Sequence, residues 1–362
     1  MGMVLHVFDE ALTYVGRLEA YQSLTWSEEY HGLGAFTLIL PDSDANAALL
    51  RHNYTLYRAD RKAAMIVVSV VRSTEQMQIT VSGYTALCYL TRRVVREKAT
   101  IKTVEADLYS LVNANLRDLP AISCAEAKHL TQTVDDLEFE GDQLSDAIID
   151  CCDEAELGCR VTFSASPPRA FTFEVYKGRD LSYQNGQGYV MCEEFGNLID
   201  LTITQDSDNF RNFAFVQGTN LSNAPDNVEI VTVGTAEGRE RREIYLGSGL
   251  SQEKGHEKTD TEPATQDETI EAFRDRLKAY GEKELLEYYM ADSFEAKINP
   301  ADFGVKYDLG DLITCKSRKY GIQTNLRIQS FTDIVESGAK TTTITLGYKP
   351  PSYVKGEILK NG

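Results

Sequence analysis

Two distant stretches of the chain, residues 36–84 and 294–348, follow the same pattern, and this rough duplication constrains the fold more than any other feature. Each stretch opens on a phenylalanine, reaches a proline five or six residues later (Pro41 and Pro300) and closes on a glycine–tyrosine pair. Within both, apolar and polar residues alternate, which is typical of strands buried on one face. The pattern predicts an internal duplication of one antiparallel β unit. The alternative is that any two antiparallel meanders resemble each other to this extent.

The overall composition predicts a folded protein without a nucleic-acid-binding surface. The 362 residues suffice for about two to four domains with cores of their own. The 37 basic and 55 acidic residues give a net charge of −18, whereas nucleic-acid binding needs clustered lysine and arginine. The first residues lack the pattern of a signal peptide, and no apolar run reaches the length of a membrane span. We therefore expect no membrane segment.

No arrangement of side chains in the sequence predicts catalysis, a cofactor or a metal. The five histidines lack the spacing of a zinc site, and no phosphate-binding loop or nucleophile motif occurs. The seven cysteines include no C-x-x-C pair, and we expect buried thiols, with Cys151 and Cys152 on the apolar face of a helix. Glu193 and Glu194 could be drawn as a glycosidase pair, but solvated carboxylates are the simpler interpretation. The prediction is a protein without enzymatic activity.

We predict an α+β fold, mainly β, with two related β-barrel domains, an inserted small α+β domain and a helix-containing insertion. Strand-like alternation dominates both ends of the chain, and helical spacing appears in the middle and again before the second repeat. The charge-rich residues 247–267 are expected to form a mobile loop. The predicted domains are a first β-barrel at 1–100, the α+β domain at 101–189, a second, discontinuous β-barrel at 190–246 and 294–349, the polar loop plus helix at 247–293, and a C-terminal tail at 350–362.

Capping signals predict where the helices begin and end. One helix is expected to start after Thr103 as its N-cap, and the next is expected to end at Gly158. Thr265 and Glu268 have the spacing of a capping box for a third helix, at residues 268–290.

A duplicated β-barrel has a consequence for assembly. Three copies of such a chain present six similar barrels around one axis, so the ring can match a six-fold partner on one side and a three-fold partner on the other. An acidic chain also suits a channel for DNA, because a negatively charged lumen repels phosphate. Symmetry adaptation of this kind needs surfaces and no catalytic groups.

The order and spacing of several short motifs resemble those of the bacteriophage and prophage tail-hub family, which includes baseplate hubs, the N-terminal regions of tail-associated proteins and siphovirus Gp37-like tail proteins. The resemblance covers the chain to about residue 348. It is carried by WSEEY at 26–30, GAFTLILP at 34–41, VSGYTALCYLTRR at 81–93, FGNL at 195–198, the strand at 212–218 and YDLGDLI at 307–313.

The resemblance implies a structural role without catalytic residues or cofactors. A homotrimer with pseudo-six-fold symmetry would join the hexameric tail tube or distal tail ring to the central spike, fibre or tail lysin. It would line the channel through which phage DNA passes without specific binding. The expected location is the virion tail, assembled in the bacterial host cytoplasm. Two alternatives are a receptor- or carbohydrate-binding tail protein and a tail-associated cell-wall hydrolase.

The YDLGDLI motif provides the structural motif residues that this resemblance singles out, namely Tyr307, Asp308, Gly310 and Asp311. Glycine tolerates a positive φ, and a short carboxylate can accept hydrogen bonds from nearby backbone N–H groups. We therefore expect a turn at the start of a strand of the second barrel, with Gly310 at positive φ and Asp308 or Asp311 as the acceptor.

The polar composition of residues 247–267 predicts that trypsin cleaves this stretch first in the isolated protein. Limited digestion followed by mass spectrometry of the fragments measures the order of cleavage. Resistance of this stretch, under conditions that cut other loops, would show that it is packed or held by a partner.

Overall fold

The computed structural model describes residues 3–117, 119, 121–184, 187–221, 227–255, 266–286, 288, 291–319, 321–336 and 338–347. Two compact units are formed, one by Met1–Ile203 with Phe294–Lys349 and the other within Thr204–Ser293. Strands greatly outnumber helices, which confirms the mainly β, α+β fold. The predicted cap at Thr265 and the predicted tail at 350–362 lie outside the described residues, and the domain boundaries predicted at 100 and 189 stay predictions.

The first repeat is a set of antiparallel strands that bury alternate residues. In β4, for example, Phe36, Leu38 and Leu40 point into the core, as the period-2 pattern predicts. The elements of this region are β1 (Leu5–Phe8), β2 (Tyr14–Leu18), β3 (Ser23–Glu29), β4 (Ala35–Pro41), α1 (Asp44–Leu49), β5 (Thr55–Arg58), β6 (Ala63–Ser73) and β7 (Gln78–Thr85).

An α+β segment follows, after a 3₁₀ helix at Ala86–Arg92. Thr103 is the N-cap residue of the helix at Val104–Asn115, as predicted, but its side chain makes no capping hydrogen bond. Instead, the backbone N–H of Thr103 donates to the carboxylate of Asp107. The second helix buries Cys151 and Cys152, as its apolar spacing predicts. The elements are β8 (Ala99–Thr103), α2 (Val104–Asn115), β9 (Ile122–Cys124), β10 (Thr133–Phe139), α3 (Leu144–Glu154), β11 (Gly158–Ser164) and β12 (Ala170–Tyr176).

The prediction that Gly158 ends the second helix is wrong. Helix α3 ends at Glu154, and the residue with left-handed backbone after it is Glu156, at φ 52°. Gly158 is instead the first residue of β11, where a Cβ atom would lie 2.4 Å from the ring of Tyr30. The packing of that ring, and not the end of a helix, requires glycine here.

The remaining elements belong either to the second repeat or to the second unit, whose sequence is inserted between two strands of the first unit. A 3₁₀ helix at Glu193–Phe195 separates the first two strands of the second repeat. The elements are β13 (Val190–Cys192), β14 (Leu198–Asp206), β15 (Phe213–Thr219), β16 (Val228–Val233), β17 (Glu243–Ser251), α4 (Ile270–Leu286), β18 (Ala291–Ile298), β19 (Leu312–Ser317), β20 (Ile322–Glu336) and β21 (Ala339–Gly347).

The two repeats have the same strand order. In one 16-stranded sheet, the first repeat runs β5-β6-β7-β4 and the second runs β19-β20-β21-β18. The register even breaks at the same place, between Val67 and Ser69 of β6 against β7, and between Ile328 and Ser330 of β20 against β21. The predicted duplication of one β unit is therefore confirmed at the level of topology.

The second unit is a three-stranded sheet covered by one helix. Strand β15 pairs antiparallel with β16 and parallel with β17, and α4 packs Phe273 and Leu277 on the sheet. Residues 190–246 are predicted to belong to the second barrel, but β15 and β16 form part of this separate sheet. Alternation identifies a strand without showing which sheet it joins, and this explains the difference.

The predicted polar loop and helix also differ in their bounds. Residues 247–251 continue β17, because the parallel pairing with β15 extends to Ser251. Helix α4 begins at Ile270 and not at residue 268, and the hydroxyl of Thr269 accepts from the backbone N–H of Ala272 at 3.2 Å.

Candidate functional site: the junction between the two repeats

Strand β20 joins the two repeats because it pairs with strands of both. Its first part pairs antiparallel with β19 of its own repeat, from Ser317↔Ile322 to Leu312↔Arg327. Its second part pairs antiparallel with β3 of the first repeat, from Ser330↔Glu29 to Glu336↔Ser23. A continuous hydrogen-bonded sheet thus runs from one repeat into the other. We call this pairing, with the side chains around it, the junction.

A buried ion pair crosses the junction. Arg58 Nη1, from the β5–β6 hairpin, donates to Asp333 Oδ2 of β20 at 2.8 Å, and both side chains are 1% exposed. Asp333 also accepts from the Thr342 hydroxyl and lies 3.1 Å from Lys340 Nζ, while Asp60 binds the rest of the guanidinium. A buried charge is stable only when it is paired and hydrogen-bonded, so this cluster fixes the hairpin against β20.

Arg61 makes a second link between the repeats. Its guanidinium lies over the rings of Phe331 and Phe303, 4.2 and 4.8 Å from the ring centroids. Its Nη2 donates to Asp308 Oδ1 at 2.8 Å, and its Nε lies 3.4 Å from Glu28 Oε1. Burial alone would lower the pKa of Arg61, but the charges of Glu28 and Asp308 outweigh it and raise that pKa above its usual value.

The four residues of the predicted turn lie together where the chain enters β19. Gly310 has φ 87°, and Tyr307 is fully buried. The Asp311 carboxylate accepts from the backbone N–H groups of Asp308 and Arg179, both at 2.8 Å, and Arg179 Nη2 lies 2.6 Å from it. This geometry ties the turn to the segment that follows β12. A role of the motif in assembly stays a prediction.

Tyr30 brings both repeats and the α+β segment together at one end of the junction. Its ring packs so closely against Gly158 and Gly310 that a Cβ atom at either would lie 2.4 or 2.2 Å from a ring carbon. Its hydroxyl accepts from the Gly178 N–H at 3.0 Å, and its own backbone N–H donates to the Gln329 carbonyl at 2.8 Å. Burial raises the pKa of Tyr30, so the hydroxyl stays protonated in this setting.

Sequence reasoning missed the charged residues of the junction, although one signal was present. Phe331, Asp333 and Val335 alternate on the buried face of β20, so a carboxylate occupies an inward position. Such a charge demands a buried partner. The sequence does not reveal which one, because Arg58 is 275 residues away along the chain.

The described residues hold no group of three or more histidine, cysteine, aspartate or glutamate side chains placed to bind a metal ion. All seven cysteines are free, and all but the half-buried Cys124 are buried. Burial raises the pKa of Cys88 to about 11 and that of Cys151 to about 12, so these thiols are poor nucleophiles. No helix in the described part of the chain is long and apolar enough to cross a membrane.

The fold and its junction define a β-rich protein built from two adjoining copies of one strand unit. The model of the family of Siphovirus ReqiPepy6 Gp37-like proteins matches residues 4–348. The chain belongs to this family. This confirms the resemblance to tail proteins that the short motifs indicate.

Solved structures of tail proteins share the fold. The tail protein from Neisseria meningitidis MC58 is 11% identical, with a TM-score of 0.56 over 96% of this chain and 97% of that one. The 43 kDa tail protein of prophage MuSo2 from Shewanella oneidensis is 9% identical, with a TM-score of 0.55 over 96% and 97%. Prophage tail protein gp18 from Listeria monocytogenes EGD-e is 12% identical, with a TM-score of 0.51 over 99% and 98%. No curated protein matches the sequence.

Replacing Gly310 with alanine tests the packing around Tyr30. The Cβ would meet the Tyr30 ring at 2.2 Å in a backbone conformation of positive φ, so the free energy of unfolding should fall by at least about 3 kcal/mol. Urea unfolding followed by the fluorescence of Trp26, the only tryptophan and a buried residue of β3, measures the change. The control Gly196→Ala, also at positive φ but with open space around it, should cost only about 1 kcal/mol. Equal losses in the two variants would contradict the packing argument.

Replacing Asp333 with alanine tests the buried ion pair. Arg58 would remain buried with Asp60 as its remaining acidic partner, so stability should fall by about 3 kcal/mol, the lower end of the cost of breaking a buried ion pair. The same fluorescence assay reports it, because Asp333 lies opposite Trp26 in the strand pairing. The control Glu138→Ala removes the exposed partner of Lys98 and should leave the unfolding midpoint unchanged. A midpoint for Asp333→Ala that matches this control would show that the pair does not hold the junction.

Proposed function

We propose that this chain is the hub of a phage tail, a homotrimer with pseudo-six-fold symmetry that joins the hexameric tail tube or distal tail ring to the central spike, fibre or tail lysin. One observation carries the proposal: two β units with the same strand order adjoin each other through β20 and β3. Three chains then supply six similar units, which can face a hexamer, while the differences between the repeats keep a three-fold face for the spike.

The proposed ring lines the channel through which phage DNA passes without specific binding. The net charge of −18 supports this part of the proposal, because an acidic wall repels the phosphate backbone and lets it slide. The site of action is the virion tail, after assembly in the host cytoplasm.

In this proposal every part of the chain has a structural role and none takes part in catalysis. The two repeats, closed as β-barrels, form the ring, and the segment at 101–189 supports it beside Tyr30. The turn of Tyr307, Asp308, Gly310 and Asp311 fixes the entry to β19 against that segment through Arg179. The task of the inserted second unit is contact with other tail components.

Cryo-electron microscopy of the tails of the parent particle tests the proposal. We expect three copies of the chain between the last hexameric ring of the tube and the spike. Density for this chain in the capsid would overturn the proposal. Density on a peripheral fibre would overturn it too, and would favour a receptor-binding tail protein.

A further inference from the structure

The register of both β6 and β20 shifts at one point, and this shared shift shows which residues of the two strands occupy equivalent positions. Ser69 and Ser330 each follow the break, so the β6 segment from Ser69 to Ser73 corresponds to the β20 segment that begins at Ser330. In β20 that segment pairs with β21 on one edge and with β3 on the other. In β6 the segment pairs with β7 on one edge, and among the described residues no strand pairs with the other. We call this open stretch the β6 edge.

Burial differs accordingly between the equivalent positions. Asp333 of β20 is 1% exposed, whereas its equivalent Arg72 is exposed. Thr332 is half-buried, whereas its equivalent Val71 is 57% exposed. The first repeat therefore leaves open the surface that a neighbouring strand covers in the second repeat.

A second open edge lies on β14. This strand precedes β18 as β3 precedes β4, so it is the counterpart of β3 in the second repeat, and it ends the order of the 16-stranded sheet. No residue of β3 is exposed, whereas Ile199 of β14 is 57% exposed and Asp200 is exposed as well. We call residues 198–203 the β14 edge.

The two edges suit each other in chemistry. Among the described residues no strand pairs with either edge, and each edge carries an exposed aliphatic side chain, Val71 on one and Ile199 on the other. Each also carries a single charged residue, Arg72 on the β6 edge and Asp200 on the β14 edge. Arg72 is already paired with Asp42 of its own copy, at 2.6 Å, so the apolar side chains and the open strands carry the argument for pairing. An open strand edge with apolar residues is a template for pairing with another chain.

We propose that the β6 edge of one copy of this chain pairs antiparallel with the β14 edge of the next copy, in the manner in which β20 pairs with β3 inside one copy. The inference rests on the proposed trimer and names the surface that builds it. Every boundary between neighbouring repeats, within a chain or between chains, then has the same form. Because the two edges are different surfaces, the contact is head-to-tail, and a ring closes when both edges of every copy are used.

Two single aspartate substitutions test this pairing in the full-length chain. Val71→Asp places a charge in the β6 edge and Ile199→Asp places one in the β14 edge, at positions that are open to water in the single copy. Each should weaken association between copies by at least about 10-fold, because the pairing would leave the new charge half-buried and without a partner, as Thr332 is half-buried beside β3. Analytical ultracentrifugation should show a trimer for the unmodified chain and a monomer for each variant.

Mixing the two variants gives the decisive measurement. One variant keeps an intact β14 edge and the other an intact β6 edge, so an equimolar mixture should form a one-to-one dimer that cannot close into a ring. The control Val305→Asp, at a valine that is 78% exposed and outside both edges, should remain a trimer. Circular dichroism checks that every variant is folded.

The outcomes separate the pairing from the proposed function. If the unmodified chain is a trimer and either edge variant remains one, or if the mixture stays monomeric, the pairing is overturned and the proposed trimer stands. If the unmodified chain is a monomer at every concentration, the proposed trimer fails, and the pairing fails with it.

Discussion

The pairing of β20 with β3 is the interaction on which the rest of the first unit depends. It turns two strand units that are far apart in sequence into one sheet, and it places the buried charges of Arg58 and Asp333 where each satisfies the other. Without that pairing, β3 would present an unpaired edge and both charges would face an apolar interior, which is costly. Each repeat is thus stabilised by its contact with the other.

The side chains around this pairing act in different ways. Arg58 and Arg61 reach from one hairpin of the first repeat to acidic and aromatic groups of the second, so they fix the repeats laterally. Tyr30 acts at the end of the strand, where its ring fills the space left by two glycines and its polar groups bond to three separate segments. The junction therefore combines backbone pairing, buried ion pairs and close packing, and each restrains a different direction of movement.

Much of this fold follows from local patterns, and what does not follow is long-range. The alternation in residues 36–84 and 294–348 predicts the repeated strand order, and the apolar spacing of α3 predicts that Cys151 and Cys152 are buried. Helix α4 packs on the sheet that β15 joins, a long-range contact that alternation does not record. From the local sequence, Gly158 is predicted to end a helix, because the contact with Tyr30 that requires glycine is far away along the chain. The partner of Asp333 is hidden for the same reason.

The connection between the first two strands of each repeat unit differs greatly between the copies. In the first copy, β3 passes to β4 through residues 30–34, a tight turn in which a Cβ atom on Gly34 would lie 2.2 Å from the Ser27 carbonyl oxygen. In the second copy, the entire second unit stands at the same point of the topology. The tight turn of the first copy leaves no room for an insertion, whereas the same connection in the second copy contains a folded unit. The connection between β14 and β18 is therefore the point of this scaffold at which a folded insertion leaves the order of β18–β21 unchanged.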